Sequence, residues 1–235
     1  MNIILFDKGR RSFSCRDDEY KHIKDVLRLG KGDEFTAGEF NGDRGRAVIT
    51  DFDQSSLHFD FHPQCDDSAL YHITLILASV RPICMKRILR EVVSLGAARI
   101  IIANSELGEK SYLKSTLYTT DEYLEIMRSG AMQSGHTGLS QAVFARSVEE
   151  ALALCDDSSM RILFDVDPSA VRVDELPEGD GYILAIGGER GWTDRERALF
   201  RSGGFTPVSM GKRILRSETA AVAGLSLVLA HAGLM

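Results

Sequence analysis

The chain has 235 residues, 44% hydrophobic and 26% charged, enough to bury a large core as one big domain or two unequal ones. Its 28 Lys+Arg against 34 Asp+Glu give a net charge of −6, which excludes a chain that grips polyanions by bulk charge and leaves only a local basic face for that purpose. Four widely spaced cysteines, Cys15, Cys65, Cys84 and Cys155, form no CxxC pair and argue against a disulfide framework and a zinc site.

In chain order, the opening residues Asn2 to Asp7 are too short and too soon charged for a signal peptide, and no apolar run reaches the length of a membrane span. A cytoplasmic protein is expected. The spacing of Tyr20, Ile23, Val26 and Leu27 predicts a helix over Asp17 to Leu29 with those four residues on one face. Near-alternating polarity predicts strands at Phe35 to Glu39, Arg46 to Phe52 and Leu57 to Phe61, with a tight turn at Asn41-Gly42-Asp43. Together they suggest a small β-barrel. Residues 1–70 hold 10 Lys+Arg against 14 Asp+Glu, net −4. The basic residues cluster nonetheless, at Lys8, Arg10 and Arg11, at Lys21, Lys24, Arg28 and Lys31, and at Arg44 and Arg46. Either a local basic face or a solvated surface of mixed charge fits. His58 and His62, near Cys65, read as surface or barrel histidines, and no metal is expected.

Pro63 to Ser68 is polar and rich in turn formers, so it reads as a linker between domains 1–68 and 69–235. Beyond it the rhythm changes. Apolar strands are expected at Ile73 to Val80, Arg99 to Ala103, Ala142 to Ala145, Arg161 to Val166 and Tyr182 to Ile186. Helices are expected at Met85 to Leu95, Asp121 to Met132 and Val148 to Leu154, the last opened by Ser147-x-x-Glu150. This alternation implies an α/β domain with a parallel sheet covered on both faces, its ligand lying beyond the C-terminal strand ends.

Two stretches near the C-terminus carry the chemistry. Strand Tyr182 to Ile186 runs into Gly187-Gly188-Glu189-Arg190-Gly191-Trp192 and then Thr193-x-x-Glu196, a strand, a glycine loop and a capped helix. The second is Met210-Gly211-Lys212-Arg213-Ile214-Leu215-Arg216-Ser217-Glu218-Thr219-Ala220, a glycine loop feeding a helix capped by Ser217 and apolar from Ala220 to Ala230. Such a helix is expected to be buried, with Arg213, Arg216 and Glu218 at its mouth. An ion pair between Arg216 and Glu218 that pins the loop is one reading of these charges, and a ligand contact is the other. Two glycine loops together form a floor of exposed backbone amides and carbonyls able to read the edge of an adenine. No Walker pattern is present, and Gly187-Gly188-x-x-Gly191 lacks the GxGxxG spacing.

Ile186 to Gly191 with Glu196, and Gly211-x-Arg213-Ile214-Leu215-Arg216-x-Glu218-Thr219-Ala220, resemble the signature loops of the SPOUT superfamily of knotted methyltransferases. The likeness is greatest to the RsmE type, which methylates a uridine of small-subunit (16S) ribosomal RNA on ring nitrogen N3. His22 to Leu29 with Gly32-Asp33, Glu91 to Gly96, Ser105-Glu106 and Ala131 to His136 extend it over most of the chain. The resemblance implies a PUA-like barrel for RNA followed by a parallel sheet with a C-terminal trefoil knot, working as a homodimer without metal or membrane. It also implies that Ile186, Gly187, Gly188, Glu189, Gly191, Met210, Gly211, Ile214, Leu215 and Thr219 hold S-adenosylmethionine in a bent form. Arg216 is the expected donor to the charge that develops on the uracil, with Glu218 orienting Arg216 or capping the loop. Arg28, His22, Arg11 and Arg213 are the expected RNA contacts. The sequence departs from the family at Ser94, Met132, His136, Gly188 and Arg190, which keeps open a non-catalytic RNA-binding relative and a methyltransferase for a different RNA nucleotide.

Overall fold

Two hydrophobic patterns divide the chain, a period-two pattern before residue 70 and long apolar runs after it, and the backbone follows the division. The computed structural model describes residues 2–156 and 159–235. It separates into one unit of Met1–Ala69 with Ala131–Leu139 and a second of Leu70–Gly130 with Ser140–Met235.

In the first unit, β1 (Ile4–Phe6), β2 (Ser12–Ser14), β3 (Glu34–Glu39), β4 (Asp43–Phe52) and β5 (Ser56–Asp66) form one sheet in the order β1-β3-β4-β5-β2. Only the β1–β3 pair is parallel. Alternate residues point inward, where Phe6, Phe13, Phe35 and Phe59 pack ring against ring. The three-residue strands β1 and β2 escape the periodicity because three residues cannot display one. Two expectations are corrected here. Pro63 to Asp66 is no linker, since β5 runs to Asp66 and pairs with β4 through a bulge. The expected helix is a single α-turn, α1 (Asp18–Lys21), that widens into a π-wound turn over His22–Leu27 and stops at Arg28 with φ 56°. The wider turn rotates the later residues off the buried face. Tyr20 and Ile23 are buried, whereas Val26 and Leu27 are 64% and 41% exposed.

In the second unit, β6 (Tyr71–Ala78), α2 (Pro82–Ser94), β7 (Ala97–Ala103), α3 (Thr116–Thr119), α4 (Glu122–Ser134), β8 (Gln141–Ala145), α5 (Val148–Ala153), β9 (Met160–Phe164), β10 (Tyr182–Ile186), α6 (Asp194–Ser202), β11 (Thr206–Val208) and α7 (Ser217–His231) follow in order. The six strands are all parallel, ordered β11-β9-β10-β6-β7-β8. Strand β10 is buried at every residue between β9 and β6, as a continuous apolar run in a covered sheet requires. Since all strands point one way, the segments after β6, β9, β10 and β11 emerge at one edge of the sheet, where the chain reverses direction across it.

Helix α7 differs from its expectation in two respects. Its N-cap is Arg216, and Ser217 is the first helical residue with no capping hydrogen bond from its side chain. The helix is buried along the stripe Ala220, Ala221, Gly224, Leu225, Val228 and Leu229, packed on α2 and β10, while Leu227 is 40% exposed. No helix among the described residues is long and apolar enough to cross a membrane.

Candidate functional site

The edge of the sheet where β9, β10 and β11 end carries a cleft of about 390 Å³. It is lined by the loop after β10, the loop before α7 and the residues after β9. Gly188 to Gly191 close a tight turn, the Gly191 N–H donating to the Gly188 carbonyl at 3.0 Å, and Gly191 takes φ 67°. Gly211 takes φ 106°. Both angles lie in the region that side chains disfavour. A Cβ on Gly187 would come within 3.1 Å of Gly191 Cα and 3.3 Å of Trp192 Nε1, so a side chain there would have to displace the turn or the indole by a few tenths of an ångström. The Trp192 ring is 1% exposed and lines the cleft, and its buried indole N–H has no partner within the protein. A buried donor without an acceptor is costly, and it suits a site that receives a polar ligand.

Of the residues expected to hold a cofactor, Ile186, Gly187, Gly188, Glu189, Gly191, Met210, Gly211, Ile214 and Leu215 line this cleft together with Arg213. Thr219 is exposed and does not. Sequence reading missed the third wall, Phe164, Asp165, Val166 and Asp167 after β9. Asp165 accepts from Arg197 at 2.5 Å and Asp167 from Arg201 at 2.5 Å. The two arginines stand four apart on α6, a spacing that puts both on one face, but nothing in that spacing names Asp165 and Asp167 as their partners. Hydrogen bonds from Ser169, and then Arg201, hold the Asp167 carboxyl down at about 2.

Arg216 and Glu218 lie instead in a neighbouring hollow of about 450 Å³, with Arg81, Cys84, Gly188, Glu189, Ile214, Leu215 and Ser217. Five of these residues, Gly188, Glu189, Ile214, Leu215 and Ser217, are common to both walls. The two hollows therefore adjoin across the same loop backbone. Among the described residues no ion pair joins Arg216 to Glu218; Glu218 stands near the Cys84 thiol, whose proton is held more tightly through burial and the two carboxylates Glu218 and Glu189. Glu189 accepts the Arg81 backbone N–H at 3.0 Å, fastening the glycine loop to the start of α2.

The frame behind the site hangs on Glu196, 1% exposed. Its carboxylate accepts the Thr193 N–H at 2.8 Å within the predicted capping box, and the Glu106 N–H at 2.8 Å from the segment after β7. Glu106 accepts in turn from the Thr193 hydroxyl at 2.6 Å and from Arg195 at 2.5 Å, and the Thr193 bond comes first among the causes that lower its pKa. The two departures in the glycine loop are absorbed here. Arg190 has no positive φ and is exposed, and Gly188 sits in ordinary contact with Ala78, Ser79 and Val80.

The expected RNA contacts divide by environment. Arg28 and Arg213 are exposed, and among the described residues neither side chain makes an ion pair or hydrogen bond. Arg11 is engaged by Glu39 at 3.3 Å and lies over the rings of Phe6 and Phe61. His22 is half-buried with Nε2 shielded and unpartnered, and burial lowers its pKa, so it presents a neutral ring rather than a charge. Of the other departures, the Met132 carbonyl accepts from Asn2 and Ile3, His136 lies 3.0 Å from Asp67, and the Ser94 hydroxyl donates to Glu91. No group of three or more His, Cys, Asp or Glu among the described residues is arranged to hold a metal ion.

Comparison with known proteins adds the following. A family model described as an RNA methyltransferase domain matches residues 67–229, and one described as an RNA methyltransferase PUA domain matches residues 16–61. The chain is 38% identical to the ribosomal RNA small subunit methyltransferase E of Treponema pallidum, over 99% of this chain and 92% of that protein. It is 26% identical to ribosomal RNA small subunit methyltransferase E 1 of Borreliella burgdorferi, over 95% of both. Among solved structures it is similar to a ribosomal RNA small subunit methyltransferase E from Neisseria gonorrhoeae bound to S-adenosyl methionine. That match has a TM-score of 0.82 and 23% identity, covering 98% of this chain and 97% of the other.

Proposed function

The chain belongs to the RNA methyltransferase family of ribosomal RNA small subunit methyltransferases E, and on that premise we propose that it transfers the methyl group of S-adenosylmethionine to ring N3 of a uridine in small-subunit ribosomal RNA. The observation that carries the reading is the meeting of the two glycine loops in one cleft whose wall is shared with the hollow of Arg216 and Glu218.

The residues fit the donor. Bare backbone at Gly187, Gly188, Gly191 and Gly211, apolar surface at Ile186, Met210, Ile214 and Leu215, and the unpartnered Trp192 N–H suit an adenine and its polar edges. S-adenosylmethionine would supply a methyl group already activated by its sulfonium. The chain's own task is then to align the acceptor and to stabilise it. Uracil N3 is a weak nucleophile until its proton leaves, and the Arg216 guanidinium, permanently charged, is the donor for the resulting negative charge. Glu218, on the first turn of α7, stands near the Cys84 thiol and makes no ion pair with Arg216 among the described residues. The target base must be unstacked to enter, so the substrate is largely single-stranded at that nucleotide.

Residues 1–68 serve the RNA in this reading, with Arg28 and Arg11 as phosphate contacts and His22 as support, while Arg213 meets RNA at the cleft. The second domain, 69–235, carries the chemistry, with its C-terminal segment knotted. The protein works as a homodimer, a role for which the exposed apolar Leu227 on α7 is suited, and in the cytoplasm, where its substrate is assembled.

The test is incubation with labelled methyl donor and small ribosomal subunits from a strain lacking the enzyme. Transfer to a uridine N3 is expected. Transfer to a different base, or none, would overturn the proposal. Arg216→Ala should reduce transfer by at least about a hundredfold with donor affinity, read by calorimetry, changed less than about threefold. Unchanged turnover would remove Arg216 from the chemistry.

A further inference from the structure

A single guanidinium leaves half of the acceptor's charge unanswered. When uracil loses its N3 proton, the electron pair left behind is shared among N3 and the two flanking carbonyl oxygens, O2 and O4. One donor can meet one oxygen. The hollow lined by Arg216 is also lined by a second arginine that sequence reading did not single out, Arg81. The two come from different elements. Arg81 is the N-cap of α2, with Pro82 at the first helical position, and Arg216 is the N-cap of α7. Helices α2 and α7 pack on one another, which brings both caps to one hollow.

Neither guanidinium forms an ion pair among the described residues, although Glu189 and Glu218 both line the hollow. Glu189 accepts the Arg81 backbone N–H, and Glu218 stands near the Cys84 thiol. Tyr112 stands beside the Arg81 guanidinium and, with Glu189, favours its charged form. The charged and titratable groups facing the hollow are therefore Arg81 and Cys84 from the start of α2, Glu189 from the glycine loop, and Arg216 and Glu218 from α7, while Tyr112 lines an adjoining hollow with Arg81 and Glu189. At about 450 Å³ the hollow is large enough for a nucleobase.

We infer that Arg81 and Arg216 together bind the two carbonyl oxygens of the acceptor uracil and stabilise its N3-deprotonated form, so that Arg81 is a second catalytic residue. The inference rests on the uridine-N3 reading above. In the step it describes, the N3–H bond breaks and the proton leaves to water at the open mouth of the hollow. The electron pair stays on the ring, free to take the methyl group. Cytosine places an amino group where uracil has O4, so the same pair of cations also rejects cytosine.

The test is Arg81→Gln, with Arg81→Lys as the conservative variant. The contact to Glu189 comes from the backbone, so both substitutions leave the glycine loop fastened, and calorimetry with S-adenosylmethionine should read wild-type affinity. With the RNA position that the wild-type enzyme methylates in hand, single-turnover transfer is measured against pH. Arg81→Gln is expected to shift the rising limb upward by about one pH unit and to slow transfer about ten- to a hundredfold at neutral pH. The size lies at the low end for an oxyanion donor because the hollow is open to water. Arg81→Lys should recover part of both. Without any methyl donor, 19F NMR of an RNA oligomer carrying 5-fluorouridine at that position reads N3 ionisation directly. The wild-type protein should lower its midpoint pH, and Arg81→Gln should return it toward that of free RNA. A higher KM for RNA with an unmoved pH limb would make Arg81 a phosphate contact and overturn the inference, as would an unmoved 19F midpoint. A wild-type enzyme that methylates no uridine N3 overturns the functional reading itself, and the inference with it.

Discussion

Glu196 makes a sharp test of how the site is held, because a change of one atom reverses one hydrogen bond. Its two carboxylate oxygens accept two partly buried backbone N–H groups, Thr193 and Glu106, both at 2.8 Å, and its side chain is shielded from water at 1% exposure. Glu196→Gln preserves shape and volume. The amide oxygen can still accept one N–H, but the amide nitrogen then faces the other, donor against donor. A hydrogen bond to a charged group contributes roughly 1.5–3 kcal/mol, and a stranded buried donor costs a similar amount. The expected loss is therefore about 2–3 kcal/mol, which in a chain of this length corresponds to a fall in Tm of roughly 4–12 °C. Urea denaturation should show a lower midpoint with an unchanged slope. Because α6 starts directly after the glycine loop, affinity for S-adenosylmethionine should fall alongside stability. A midpoint shift equivalent to less than about 0.5 kcal/mol, the ordinary scale of a surface substitution, would refute the claim that this carboxylate clamps the segment after β7 to the helix behind the cleft.

Two further outcomes follow from the cleft. Gly187→Ala would set a methyl group 3.1 Å from Gly191 Cα and 3.3 Å from Trp192 Nε1, so calorimetry should show donor affinity reduced by about tenfold or more while RNA binding is retained; a wild-type affinity would mean that the loop gives way freely. Asp167, held down at about 2 from its usual 3.8 by Ser169 and Arg201, contributes stability that is present in full above about pH 4 and lost as pH falls through about 2. The difference in urea midpoint between the wild type and Asp167→Asn should be constant above about pH 4 and close toward pH 2, and a gap that stays constant to pH 2 would show that the Asp167 charge contributes nothing.

Much of the second unit could be read from sequence because its signals are local. Strand β10 has the predicted limits, Tyr182–Ile186, since five apolar residues end at a pair of glycines. The box at Thr193 forms as expected, and Ser147 caps its helix by accepting the Glu150 N–H, although Glu150 reaches back to the Arg146 N–H and not to that of Ser147. What escaped is what depends on pairing or on winding. Strand β11, Thr206–Val208, contains Pro207 and is too short for periodicity, and it exists because β9 is beside it. Residues His22 to Leu27 carry a regular helical pattern, yet their π-winding turns Val26 and Leu27 outward. The loop after β9 was invisible as a wall because strand order, not sequence, puts β9 next to β10.

The same distinction explains why two departures from the family's loop leave the cleft intact. A glycine is indispensable where the backbone takes a positive φ or where a side chain would strike its surroundings, and in this loop those places are Gly191, at φ 67°, and Gly187, pressed against Gly191 and Trp192. Position 190 meets neither condition. The backbone there is ordinary and the arginine side chain extends into solvent, adding a positive charge at the rim without altering the floor. Gly188 has nothing closer to its missing Cβ than 3.6 Å, so the turn does not depend on which small residue stands there. Sequence likeness weighs all four loop positions alike, whereas the physical constraint falls on two of them, and both of those are kept. The departures therefore leave the winding of the floor in place, while Arg190, which lines the cleft at its exposed rim, adds a positive charge to whatever enters there.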